Sequence, residues 1–277
     1  MGRARGVSGP APIAVLPMYD FPWTASANDA LWAAIAARLD EAGVEAPKTL
    51  TRGGDIDAQW RNPGLIFGQT CGYPYVTRLK DAVALIAAPI YAFPGCEDAS
   101  HRSFIIRRAS DPRRALAEFR GAAAGLNGWD SNTGMSLFRS ALAPIAGGAP
   151  FFRTILVTGS HEGSVAAVAD GRADIAAIDC VSYALLDRGR PALVERVAVI
   201  VQSPRSPGLP FIAAADLGAR TIAAVRDALF AALADPNLAD ARATLGLTGA
   251  LEKSRADYDR VIAIEREAAA AGYPLLA

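Results

Sequence analysis

The chain has 277 residues, 52% of them hydrophobic, with 28 Lys+Arg balanced by 28 Asp+Glu. An apolar, net-neutral chain of this length is not disordered as a whole and buries a sizeable core, as one large domain or two of ordinary size. The same balance argues against a nucleic-acid binder that neutralises phosphates over a broad basic face. Three scattered cysteines, Cys71, Cys96 and Cys180, fit neither a disulfide framework nor a zinc site, and two histidines, His101 and His161, are too few for a histidine metal cluster. No cofactor is expected. The best apolar run, 82–93, holds a proline and is too short to span a bilayer, so no membrane insertion is expected. The N-terminus starts basic but has no apolar stretch before Ile13, so no export signal is expected in the sequence as written.

Strand-like and helix-like patterns alternate along the chain, which predicts an α/β protein with largely parallel strands. A strand at 13–16 leads into the loop Pro17 to Trp23, and Leu31, Trp32, Ile35 and Leu39 then mark a helix that stops at Gly43. A short strand at 48–50, a brief helix at 55–60, an apolar strand from Leu65, the segment Gly68-Gln69-Thr70-Cys71-Gly72-Tyr73-Pro74-Tyr75 and a strand at 83–90 complete the first block. After Pro94-Gly95 come a strand at 103–107, a helix expected to start near Asp111-Pro112, and a weak strand at 122–126. That strand precedes Asn127 to Gly134 and a helix. Two further strands, 155–157 and 174–178, also end in small or polar residues that turn directly into helices. A strand at 197–201 and a proline-rich stretch at 203–210 lead to a helical tail, with Thr221 as a possible cap and breaks at Asp235-Pro236 and beyond Leu245. The breaks near residues 94 and 203 isolate a central block. The simplest topology has two lobes joined by two crossings: 13–94 with 203–277, and 95–202.

Ligands of open α/β sheets sit beyond the carboxyl ends of strands. Around Ser131, Asn132 and Thr133, small hydroxylated residues and a glycine at a helix start offer backbone N–H groups and hydroxyls to a compact oxyanion; the plainer reading is an ordinary N-cap. Gly159-Ser160-His161 repeats that chemistry, and a bound anion would favour the charged imidazole. Asp179 is either a helix cap or a carboxylate facing the cleft, where it would suit an amine-bearing ligand. Tyr19 and Tyr73 have rings suited to lining a pocket. The segment 159–163 does not match a nucleophile elbow, and neither a P-loop nor a dinucleotide fingerprint opens a helix.

Taken in order, these segments resemble the phosphonate/phosphate-type substrate-binding components of ABC transporters, with a type II periplasmic binding protein fold. The carriers are Gly68 to Pro74, the Asn127–Leu137 stretch with its Asp-Ser-Asn-Thr-Gly core, and Thr158-Gly159-Ser160-His161 running on through Ser164 to Asp179. The resemblance implies two lobes, each a mixed, mostly parallel sheet flanked by helices, closing about the two crossings. It implies that Ser131, Asn132, Thr133 and His161 hold the phosphonate-like group, that Tyr19 and Tyr73 close over it, and that Asp179 contacts the rest of the ligand. It further implies a non-catalytic protein that binds a small oxyanion (phosphonate, phosphate or similar) in the periplasm and delivers it to ABC permease subunits. The competing readings are an enzyme, or a cytoplasmic ligand sensor, on the same scaffold.

Overall fold

The computed structural model describes residues 10–277. The basic start on which the export-signal reading rests lies, up to Gly9, outside the described residues. Two five-stranded sheets organise the chain, and they are best followed strand by strand. The first contains β1 (Ile13–Val15), β2 (Leu65–Gln69) and β3 (Val83–Tyr91). The chain then crosses through β4 (Ser100–His101) to the second sheet, made of β5 (Ser103–Arg108), β6 (Ala123–Leu126), β7 (Thr154–Val157), β8 (Ile175–Asp179) and β9 (Val197–Gln202). It returns through β10 (Ser206–Pro207) to add β11 (Phe211–Ala214) and β12 (Leu247–Leu251) to the first sheet. The strand orders are β1-β2-β11-β3-β12 and β7-β6-β8-β5-β9. β4 and β10 pair antiparallel, His101 opposite Ser206, so the two crossings form one ribbon.

The α/β class and flanking helices are as expected, but antiparallel neighbours outnumber parallel ones. Only β1–β2, β6–β7 and β6–β8 pair in parallel in the two large sheets. The physical reason lies in the crossings. The strand that first enters each sheet from the ribbon, β5 or β11, runs against both of its neighbours.

Helix Ala25–Glu41 buries the stripe Leu31, Trp32, Ile35 and Leu39 against Phe67 and Phe211, together with Val225, Leu229 and Leu233 of helix Ala219–Ala234. Burial of this kind contributes roughly 2 kcal/mol per large apolar side chain. The second sheet has a core on each face, one around Val165, Val168, Ile178 and Leu185 and the other around Phe119, Phe138, Leu142 and Phe151.

Four local expectations differ from the structure. Residues 48–50 are loop: they pair with no strand, and only the following Thr51 N–H bonds the edge strand β1, at the Ala14 carbonyl, 2.7 Å away. No helix starts at Asp111. Its carboxylate accepts from the Arg113 backbone N–H at 2.9 Å and pairs with the Arg113 guanidinium, fixing a turn that leads only to a short 3₁₀ helix at Leu116–Phe119. The tail helix is capped by Gly218 rather than Thr221. The end of the chain does not stay with the first sheet. Ala268, Tyr273 and Leu276 pack among Phe138, Phe151 and Phe152 of the second, and the Ala277 carbonyl accepts from Phe152 N–H at 3.0 Å.

Candidate functional site

Because β7, β6 and β8 are adjacent and parallel, their carboxyl ends align on one edge of the second sheet. β8 runs straight into a helix, and β6 and β7 do so after short loops, so three helix N-termini converge there. The caps are Ser131, whose Oγ accepts from Gly134 N–H at 2.9 Å; Ser160, which accepts from Gly163 N–H at 2.9 Å; and Asp179, whose Oδ2 accepts from Ser182 N–H at 2.8 Å. Each cap satisfies one donor of the first turn and leaves others without an intrahelical acceptor. Facing this edge are the loops that follow β1 and β2. Between them lies a cleft of about 530 Å³ lined by Tyr19, Asp57, Arg78, Thr133, His161 and Asp179, among others.

Five of the seven candidate residues line that cleft: Tyr19, Ser131, Thr133, His161 and Asp179. Asn132 does not. It is fully buried, its Nδ2 donates to Ser206 Oγ at 2.8 Å, and its backbone N–H points at Cys71 Sγ at 3.4 Å, so it fastens the helix start to the ribbon and to the loop after β2. Tyr73 also stands outside. It packs between hydrophobic clusters belonging to both sheets and faces Glu265, and burial with that carboxylate raises its phenol pKa.

Within the cleft, Thr133 Oγ1 and His161 Nε2 are 3.0 Å apart. Burial lowers the His161 pKa to about 4, so its imidazole is neutral near pH 7, and the charged form awaits an anion to compensate its desolvation. Asp179 serves as both cap and cleft wall. Its Oδ1 lies 2.9 Å from His101 Nδ1, with both side chains almost wholly buried. Burial pulls the His101 pKa down, but the Asp179 carboxylate outweighs it and the net shift is upward; burial pushes Asp179 up, but His101 outweighs it and the net shift is downward. Both shifts favour the imidazolium–carboxylate form of the pair. Tyr19 is buried, packs edge-on against Tyr91 at 5.4 Å, and its desolvated phenol is held well above its ordinary pKa. Buried side-chain atoms without a hydrogen-bond partner gather here: Tyr19 Oη, Asn127 Oδ1, His161 Nδ1, and Asp179 Oδ1 and His101 Nε2 of the ion pair. Such orphans are rare in folded proteins and mark groups that a ligand or water satisfies.

Sequence reasoning missed His101, which sits on a two-residue strand of the crossing and is 78 positions from its partner (179 − 101). It also missed the outer rim. Arg78 reaches Asp57 at 2.7 Å on its own side and Asp130 at 2.8 Å on the other, bridging the cleft. Asp20 is held by Arg52 at 2.6 Å and Glu162 by Arg190 at 3.0 Å. A second bridge is made by Trp23, whose Nε1–H donates to the Leu185 carbonyl at 3.0 Å while its ring lies on Gly189; a Cβ there would stand 2.1 Å from the indole. The two sheets are thus in contact across the cleft.

Residues 14–258 match the family described as ABC transporter, phosphonate, periplasmic substrate-binding protein. The chain belongs to that family. It is the substrate-binding component of an ABC transporter, working with permease subunits on a small phosphonate-type ligand. No curated protein sequence matches it significantly. Similar solved structures include a binding protein component of an ABC phosphonate transporter from Pseudomonas aeruginosa (14% identity, TM-score 0.75, covering 95% of this chain and 88% of that one). PhnD1 from Prochlorococcus marinus in complex with methylphosphonate (14%, 0.71, 94% and 98%) and a Xanthomonas citri protein bound to ATP (14%, 0.71, 94% and 98%) share the fold as well. At that identity these three structures speak to the fold. Among the described residues no helix is long and apolar enough to cross a membrane.

Proposed function

We propose that the cleft takes a compact alkylphosphonate without a primary amine, and that this protein binds it in the periplasm without transforming it. The observation carrying this reading is the division of Asp179. One carboxylate oxygen accepts from Ser182 N–H and the other lies 2.9 Å from His101 Nδ1, an ion-pair partner that offsets the charge with which Asp179 would attract a ligand ammonium. The same pairing cancels the charge with which Asp179 would repel an oxyanion. The phosphonate oxygens then meet the Ser131 and Thr133 hydroxyls, the free amides of the first helical turns and His161, whose imidazole is neutral until the anion binds. Pro17, Met18, Tyr19, Phe21 and Leu209 leave an apolar corner for a short alkyl group.

Calorimetric titration with methylphosphonate, phosphate, an alkylsulfonate and an aminoalkylphosphonate tests this. Methylphosphonate is expected to bind at least as tightly as the amine-bearing compound, with no turnover by phosphorus NMR. Tenfold or greater preference for the amine would overturn the ligand class, and appearance of a product would overturn the binding-only role. Binding should also draw a proton onto His161, because a bound anion restores the charged form that burial suppresses. Heats measured at pH 6 in buffers of different ionisation enthalpy are expected to show proton uptake, and less of it in His161→Gln.

A further inference from the structure

Cys96 and Cys180, 84 positions apart, lie with their Sγ atoms 3.5 Å from each other. Both are free thiols, Cys96 partly exposed and Cys180 buried. Their proximity is built into the crossing. Gly95 has φ +89°, and a Cβ there would lie 2.9 Å from Cys180 Cβ and 2.8 Å from the Phe104 ring, so only glycine lets the chain leaving β3 lie directly on the start of helix Cys180–Gly189. Both flanks are fixed. Cys96 N–H donates to the Phe93 carbonyl at 3.0 Å and Cys180 N–H to the Arg102 carbonyl at 3.1 Å.

We infer that Cys96 and Cys180 are a dithiol site that oxidises to a disulfide, locking the first crossing onto the helix that begins at the cleft carboxylate Asp179. The Sγ atoms need to close by little more than an ångström to reach the roughly 2.05 Å of a disulfide bond. The oxidant is a disulfide of the thiol-exchange class, and glutathione disulfide serves as the probe. The thiolate of Cys96, the exposed member, attacks one glutathione sulfur, forming a mixed disulfide and releasing one glutathione thiolate. Cys180 then attacks Cys96 Sγ, its proton leaving with the second glutathione. Two protein thiols are oxidised and one glutathione disulfide is reduced to two thiols. The hydrogen bond with the Cys96 thiol, and then burial, raise the Cys180 pKa, which makes the second step the slow one. Cys71 plays no part, since its Sγ is turned to Asn132 N–H at 3.4 Å.

The test is incubation of the full chain with glutathione disulfide, followed by denaturation and alkylation. The expected product has lost two hydrogens, retains one alkylatable thiol at Cys71, and yields a linked pair of peptides containing Cys96 and Cys180. Its melting temperature is expected to exceed that of the reduced protein by about 5–15 °C, since the bond closes a long loop. Cys96→Ser and Cys180→Ser should each abolish the cross-link, and Cys71→Ser should leave it. Peptide mapping on the unmodified sequence decides the matter even where a serine variant folds poorly. Three alkylatable thiols after oxidation, a stable glutathione adduct at Cys96 with no cross-link, or a disulfide involving Cys71 would each overturn the proposal.

Discussion

The wall of the cleft contributed by the second sheet is made of helix starts, whereas the wall contributed by the first is made of loops and short turns. On the second wall the polar side chains at the helix starts are tied to backbone or to one another: Ser131 and Ser160 cap, Thr133 meets His161, and Asp179 lies between Ser182 N–H and His101. On the first wall the polar groups are exposed arginine–carboxylate pairs such as Arg52–Asp20 and Arg61–Asp57, with aromatic rings between them. Buried, multiply bonded groups hold a geometry to fractions of an ångström, while exposed ion pairs exchange partners easily. We read this difference as recognition by one wall and closure by the other.

This division can be broken experimentally, and the deepest change should show the largest effect. Asp179→Ala removes a cap and strands a buried imidazole, so a loss of about 3–5 kcal/mol is expected in urea denaturation at pH 6. The pair also sets a pH window. Asp179 has its pKa depressed on folding, so its contribution is present above the unfolded carboxylate range and is lost as pH falls below about 3.8. His101 has its pKa raised, so its contribution is full below 6.5 and is lost as pH climbs through the higher folded value. A stability profile for His101→Gln that keeps the alkaline decline of the parent would refute the assignment to His101.

Thr133→Ala comes next, with methylphosphonate affinity expected to fall about 10–100-fold and melting temperature nearly unchanged. Gly189→Ala drives a methyl group into the Trp23 ring. We expect it to hold the walls apart, weaken binding by about tenfold, and enlarge the radius of gyration seen by small-angle scattering. Arg78→Ala should matter least. Its bridges are a third or more exposed, so affinity is expected to change by less than about fivefold, with the change vanishing at high salt. An Arg78 effect larger than that of Thr133 would reverse the assignment of the two walls.

The recognition wall was also the more legible one in the sequence. β6, β7 and β8 each lead within a few residues, through small or polar side chains, into a helix, a local pattern that puts Ser131, Thr133, His161 and Asp179 at helix starts without knowledge of the fold. What escaped was non-local. β11 is a four-residue apolar run after a proline-rich stretch, and β12, Leu-Thr-Gly-Ala-Leu, has weak strand propensity; both become strands because β3 offers edges to pair with. His101 had no local signal, since its meaning depends on the ribbon that carries it to Asp179. Asn132 and Tyr73 were misplaced for the opposite reason. Their neighbours do line the cleft, but Ser206 claims one side chain and the packing between the two sheets claims the other.

The course of the last helix has a mechanical consequence. Helix Asp259–Ala270 starts with Val261 packed in the core around β1 and β3, and ends with Ala268 in the core behind β5 and β8. Together with the β4–β10 ribbon it makes a third strut between the two bodies. A joint of two adjacent strands can twist as well as bend, whereas a helix packed across β10 and anchored in both cores resists torsion and leaves one easy axis. Opening should therefore follow a single arc, like a door on a stile, and the loops of the first wall should always meet the helix starts of the second in the same register.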